Sequence, residues 1–217
     1  DPATRALLLI SKPPAPAVTH RVLAQIGESD KPSVVCFLGG DPAPVARAGG
    51  IPARTLQEAA YLAAAEVGGY SGPAADQVIA QETRDLLARA VELRKRLRTG
   101  QRYLRGLFSG GTLASEALIV WEDMLDDVRS NVAANASRRL RDAGQSEGHC
   151  AIDLGADEFT IGRPHPMLDN ELRIRRLLQE AADPAVAVIM LDVVLGYGVH
   201  PDPAGELGPA IQQARAL

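Results

Sequence analysis

Two loops gather the residues whose types and spacing could do chemistry. The first is Phe108-Ser109-Gly110-Gly111-Thr112-Leu113, which joins an apolar run to a helical one. Glycines let backbone N–H groups come close to a bound group. Ser109 or Thr112 can cap the helix, whose first N–H groups are free to hold an anion. The spacing therefore predicts a phosphate or carboxylate site on Ser109, Gly110, Gly111 and Thr112. The alternative is a tight strand-to-helix turn with an ordinary cap. No Lys follows the glycines where a Walker loop needs one.

The second loop runs Asp153-Leu154-Gly155-Ala156-Asp157-Glu158-Phe159-Thr160-Ile161-Gly162-Arg163-Pro164-His165-Pro166-Met167. It carries three carboxylates, then an Arg and a His set among prolines. Proline fixes φ, so Arg163 and His165 are held with little freedom left to lose. Arg163 can bind a carboxylate or phosphate through two parallel hydrogen bonds. His165 can act as a general acid or base near neutral pH, or as a donor to phosphate. These two are the catalytic candidates. The competing reading is a loop whose charges pair with one another. Gly39-Gly40-Asp41-Pro42 also follows an apolar run, so Gly39 and Gly40, with Asp157, form a candidate secondary cleft. His149 and Cys150 are adjacent, but no second pair has metal-ligand spacing, so no metal site is expected. His20 and His200 have no evident partner. No Gly-x-Ser-x-Gly elbow supports a serine triad.

The elements that must position these loops are legible from periodicity. Residues 6–10, 33–38 and 185–191 are short, nearly continuous apolar runs; 104–108 and 150–154 are weaker ones. Such runs are strands covered on both faces. Helical spacing fills 17–26, 55–66, 113–125, 170–181 and 206–216. Strand alternating with helix means right-handed crossovers and a mainly parallel sheet, an α/β protein. Ligands of such sheets bind beyond the carboxyl ends of the strands, where both loops lie. A break at Gly68-Gly69-Tyr70-Ser71-Gly72-Pro73 precedes a long helix over 74–97 with one apolar stripe. The expected organisation is a partial α/β unit at 1–67, a linker with that helix at 68–100, and a second α/β domain at 101–217.

Composition narrows the function classes. The 217 residues carry 23 basic and 27 acidic side chains, a net charge of −4. That balance argues against binding nucleic acid by bulk charge. Two cysteines, both in apolar runs, suit buried thiols in a reducing compartment. No apolar stretch reaches the roughly 18–20 residues of a membrane span. A cytoplasmic location and a small anionic substrate are the expectation.

An internal echo runs through the chain. Asp1-Pro2-Ala3 precedes the run 6–10, and Asp183-Pro184-Ala185 opens the run 185–191. Each passes into a Pro/Gly-rich loop, Lys12-Pro13-Pro14-Ala15-Pro16 or Gly196-Tyr197-Gly198-Val199-His200-Pro201, and then into a helix. Repeated order of this kind points to two copies of one domain type. The chain is then expected to start and stop in mid-domain, leaving strand edges that need pairing. In the other arrangement, residues 1–67 complete the sheet of 101–217 in the same chain or in a partner. A homo- or hetero-oligomer is expected.

Ser109-Gly110-Gly111-Thr112-Leu113-Ala114-Ser115-Glu116-Ala117 resembles the "SGTLTYEA" start of the ligase domain of the succinyl-CoA synthetase α subunit. There the turn begins a helix whose N-terminus faces a phosphorylated catalytic histidine. Asp1-Pro2-Ala3-Thr4-Arg5-Ala6 and Lys31-Pro32-Ser33-Val34-Val35 resemble later strands of that domain. Taken with the 153–167 loop and Ser11-Lys12-Pro13-Pro14-Ala15-Pro16, the chain is similar over most of its length to the FdrA family of acyl-CoA synthetase-like proteins. The resemblance implies flavodoxin-like ligase domains. It also implies a subunit of an oxamate carbamoyltransferase-type enzyme of purine (allantoin) degradation. Two other readings remain: an acyl-CoA ligase using CoA and ATP through domains absent here, and a non-catalytic assembly scaffold. The phosphohistidine loop of the ligases has no counterpart, because residues 39–50 contain no His. Nor does an acidic residue follow Ile10, where Ser11 and Lys12 stand. The sequence itself requires no cofactor.

Overall fold

The computed structural model describes residues 1–69 and 72–217, with the backbone alone for 72–76. Tyr70 and Ser71 of the predicted break lie outside the described residues. Two compact units are present, Asp1–Arg96 and Leu97–Leu217. Each is α/β with a parallel sheet, as the alternating runs imply.

The first unit contains β1 (Leu7–Ser11), α1 (Pro16–Gly27), β2 (Ser33–Phe37), α2 (Ala43–Arg47), β3 (Ile51–Pro52), α3 (Leu56–Glu66) and α4 (Gly72–Arg94). Its sheet has the order β1-β2-β3. Val34, Val35 and Cys36 of the central strand are fully buried, as a run without polar residues predicts. Proline starts α1, where its missing N–H costs nothing. Leu23 and Ile26, one helical turn apart, pack on Val35 and Val45. Thr55 caps α3 by accepting the Glu58 N–H at 3.2 Å, and the Glu58 carboxylate accepts the Arg54 N–H at 2.7 Å. The predicted linker helix begins at Gly72, ends at Arg94 and belongs to this unit. Gln57 and Tyr61 of α3 both donate to the Glu82 carboxylate on α4, at 2.7 and 2.8 Å. Leu86, Leu87 and Leu93 of its apolar stripe are more than half exposed. The apolar spacing was therefore sound as a mark of helix, but not of burial. α2 and β3 are too short for periodicity to reveal.

The second unit contains β4 (Tyr103–Phe108), α5 (Gly111–Glu122), β5 (Val128–Arg129), a 3-10 turn (Ala136–Arg138), β6 (His149–Asp153), α6 (Asp157–Thr160), α7 (Glu171–Ala181), β7 (Val186–Leu191) and α8 (Pro203–Ala216). Its strand order is β5-β6-β4-β7. Side chains alternate across a strand, so Leu107 and Phe108 face opposite layers. Phe108 packs with Ala114, Leu118 and Trp121 of α5; Leu107 packs with Ile152, Leu154 and Leu177 on the α7 side. Two expectations need correction. Residues 153–167 are not one long loop, because Asp157–Thr160 closes a helical turn. And α5 starts at Gly111, two residues before the predicted 113, because the apolar pattern cannot register glycines that already follow helical geometry.

A buried ionic cluster ties β4 to α7. The Glu180 carboxylate accepts the Arg105 Nε–H at 2.9 Å through one oxygen. The other oxygen accepts the Arg176 Nε–H and the Ser146 hydroxyl, both at 2.6 Å. Arg105, Arg176 and Glu180 are each 2–3% exposed.

At the start of β6, His149 Nδ1 accepts the Leu104 N–H at 3.1 Å. Burial, aided by the Arg105 charge, pulls its pKa below the ordinary 6.5, against the Asp127 carboxylate. The unfolded chain then binds this proton more readily than the fold does. Stability is thus whole above about pH 6.5 and falls as the pH drops through the window below it. His149→Asn keeps an acceptor for Leu104. It should flatten that part of the pH dependence, read by thermal unfolding between pH 7.5 and 5.

Candidate functional site in the second unit

Parallel strands end on one rim, and here each is followed or ended by a polar side chain. Asn131 stands beyond β5, Asp153 ends β6, Ser109 follows β4 and Asp192 follows β7. β4 and β6 are neighbours, yet the chain leaves β4 for α5 on one face and leaves β6 for α7 on the other. The rim between their ends is where an open α/β sheet usually places its ligand crevice. The 109–112 turn forms one wall and the start of the 153–167 segment forms the other.

Gly155 brings the two walls together. A Cβ on it would lie 2.6 Å from the Ser109 carbonyl oxygen, 2.7 Å from His165 Nε2 and 3.2 Å from Asp153 Oδ1. Only a residue without a side chain lets His165 approach the Ser109 turn so closely. His165 Nδ1 accepts the Met167 N–H at 3.2 Å, so the neutral ring carries its proton on Nε2, the nitrogen beside Gly155. Asp153 Oδ1 accepts the Gly155 N–H at 2.9 Å and holds this wall in place. Asn131 braces it further: its side-chain oxygen accepts the Asp153 N–H at 2.9 Å, and its amide donates to the Asp153 carbonyl and to Glu158.

The opposite wall differs from expectation. Ser109 does not cap α5; its N–H donates to Asp192 Oδ1 at 2.8 Å and its hydroxyl to Asp192 Oδ2. A carboxylate of the chain itself therefore occupies the first of the predicted anion-binding amides. The cap position falls to Gly110, and no side chain caps the helix, so the amides that open at Gly111 and Thr112 receive no side-chain acceptor. Arg173 supports Asp192 from α7, with Nη2 3.0 Å from Oδ1 and a second bond to the Asp192 carbonyl. Burial lowers the Arg173 pKa, while the Asp192 charge opposes that shift. From Arg173 the contacts run on through Asn170, 3.4 Å away, to Glu206 and His200.

The other candidates scatter. Arg163 is exposed, and none of the described ion pairs involves it. Asp157 is exposed in the first turn of α6. Gly39 and Gly40 lie in the first unit. Gly39 takes φ +77°, the Gly40 N–H donates to Phe37 O at 2.8 Å, and Gly40 and Asp41 help line a cavity of about 380 Å³ with Pro13, Pro14 and Phe37. Among the described residues no cluster of His, Cys, Asp and Glu could hold a metal. Cys36 and Cys150 are both buried and are not joined in a disulfide. No described helix is long and apolar enough to cross a membrane. Asp192, Arg173, Asn170 and Asn131 were missed. An Asp directly after the clearest strand was the one available signal, since that position must lie on the ligand-facing rim.

The second unit is thus an α/β domain built on a parallel sheet, with a glycine-led helix following its inner strand β4. The CoA-ligase family pattern matches residues 107–217, and the chain belongs to that family. It is also 43% identical over 221 residues to the uncharacterized protein YahF of Escherichia coli (strain K12). That match covers 100% of this chain and 41% of YahF, so the chain spans about two fifths of that relative.

Proposed function

We propose that the β4–β6 crevice binds a small oxyanion substrate, and that the chain works as an FdrA-like subunit of an oxamate carbamoyltransferase-type enzyme. The carrying observation is that His165 Nε2 and the Ser109 carbonyl, which stands just before the uncapped start of α5, both crowd Gly155. Amides at a helix N-terminus and an imidazole N–H are donors suited to phosphate and carboxylate oxygens. In carbamoyl transfer the carbamoyl carbon passes from a phosphate oxygen to the oxamate nitrogen. That nitrogen gives up a proton and phosphate departs. The crevice would hold the departing phosphate, with His165 donating to its oxygen. Arg163 serves as an added cation in this reading, and Arg163→Ala tests whether it reaches the ligand.

Titration of the chain with carbamoyl phosphate, oxamate and inorganic phosphate tests the proposal. Gly155→Ala should force the Ser109 carbonyl and the His165 ring away from this position and weaken phosphate-containing ligands by about tenfold or more, a loss of ~1.4 kcal/mol. Unchanged affinity in that variant removes the crevice from consideration.

The family match favours a second reading, acyl-CoA ligation with CoA and ATP bound by other domains. Binding of CoA by the longest available form of the protein separates the two, since carbamoyl transfer has no use for CoA. A protein that binds none of these compounds acts as an assembly scaffold.

A further inference from the structure

Asn170 stands at the cap position of α7, where an asparagine side chain ordinarily accepts an N–H of the first helical turn. Here it makes no such bond. Asp169 Oδ1 meets the Glu171 N–H instead, at 2.7 Å. The Asn170 side chain turns inward and is 2% exposed. Its amide donates to Glu206 Oε2 on α8 at 3.0 Å, and its oxygen accepts from Arg173 Nη1 at 3.4 Å. A carboxylate on one side and a guanidinium on the other permit a single amide orientation, because a flipped amide would aim NH2 at the cation and oxygen at the anion.

Arg173 depends on that orientation. It is buried, and its Nε has no partner. It is therefore fixed at two points, Nη1 on Asn170 and Nη2 on Asp192. Asp192 in turn accepts both the N–H and the hydroxyl of Ser109. At the far end, Glu206 Oε2 lies 3.3 Å from His200 Nε2. His200 Nδ1 accepts the Asp202 N–H at 3.1 Å, so the neutral ring offers its Nε2 proton to Glu206. A continuous line of side chains thus runs from the half-exposed Glu206 to the Ser109 turn.

We propose that Asn170 and Glu206 are positioning residues for the crevice. They touch no ligand; they fix Arg173, and Arg173 fixes Asp192 and Ser109. The role rests on the crevice being the oxyanion site. Without the Glu206 acceptor the Asn170 amide can rotate, Arg173 loses its Nη1 contact, and the Asp192–Ser109 wall loosens. Glu206→Gln keeps an oxygen for Asn170 and so keeps the line, although the charge is gone.

Two measurements on the same samples test this. Amide hydrogen exchange, resolved by NMR, reads the Ser109 end of the line, with the Leu107 amide of β4 as the reference. Calorimetric titration with inorganic phosphate reads the crevice. Glu206→Ala should speed Ser109 exchange, and weaken phosphate, by about fivefold or more, the scale of one lost hydrogen bond. Leu107 should not change, and Glu206→Gln should bring both readings back to within about twofold of the unaltered chain. Asn170→Ala should match Glu206→Ala, and the double variant should be no worse than either, because both break the same line. If Asn170→Ala does not fold, the two Glu206 variants decide alone. Equal losses in Glu206→Ala and Glu206→Gln overturn the proposal, as does faster exchange shared by Leu107. If phosphate binds and Ser109 does not respond, the positioning role alone fails. If the unaltered chain binds no phosphate, the oxyanion reading fails and takes this role with it.

Discussion

Replacing Glu180 with alanine should destabilise the second unit by about 3–5 kcal/mol, the usual cost of removing one partner from a buried ionic cluster. Glu180 is the counter-charge that Arg105 and Arg176 share, and all three are shut off from water. Arg105 would retain only Asp183 as a counter-charge, at 3.3 Å, and its Nη1 already lacks a partner. Arg176 would keep the Ala143 carbonyl and the Ser146 hydroxyl, neither of which carries charge. Domains of this size are stable by about 5–15 kcal/mol, so the loss removes a large part of the total. Fluorescence of Trp121, the one tryptophan in the chain, reports this unit during thermal unfolding. A midpoint drop of roughly 12 °C or more is expected. An unmoved midpoint would mean that the two arginines reach solvent. Replacing all three residues with apolar ones of similar volume should come close to restoring stability, because the desolvation cost disappears with the charges.

Asp192→Ala should destabilise to a similar extent, again about 3–5 kcal/mol, because Arg173 would then be buried without a counter-charge. Arg173 is 2% exposed and its Nε is already without a partner. The gentler Asp192→Asn separates stability from binding. It keeps an oxygen for the Ser109 N–H but removes the negative charge that now fills the cradle. Affinity for inorganic phosphate should rise by about tenfold, since a neutral side chain beside Ser109 no longer repels an anion approaching the uncapped start of α5. Calorimetric titration checks this directly. Equal or weaker binding would mean that Asp192 holds the wall of the crevice rather than occupying its anion position.

The parallel sheets were readable because their strands are short runs of Val, Ile, Leu and Cys bounded by Gly and Pro, a pattern that burial on both faces requires. The turn at Ser109 was readable because glycines between a strand and a helix have few other uses. Arg173, Arg176 and Glu180 were not. Along α7 they look like an ordinary charged helix, and only partners far away in the chain, Asp192, Arg105 and Ser146, make them interior residues. The role of Ser109 was obscured for the same reason, as its acceptor stands 83 residues further on. Gly155 was visible as a glycine after a strand, but the carbonyl and imidazole that forbid a side chain there come from the Ser109 turn and from His165 beyond α6.

The placing of β4 has a consequence for how the second unit is made. This strand emerges first during synthesis, yet it lies inside the sheet between β6 and β7. Its Leu-Phe end must wait, unpaired, until residues beyond 149 and then 186 leave the ribosome. Such late, distant pairing slows folding and leaves greasy segments open to clumping in the interval. Nascent chains stalled before β7 should therefore lean on chaperones, and release from them should coincide with the arrival of that strand.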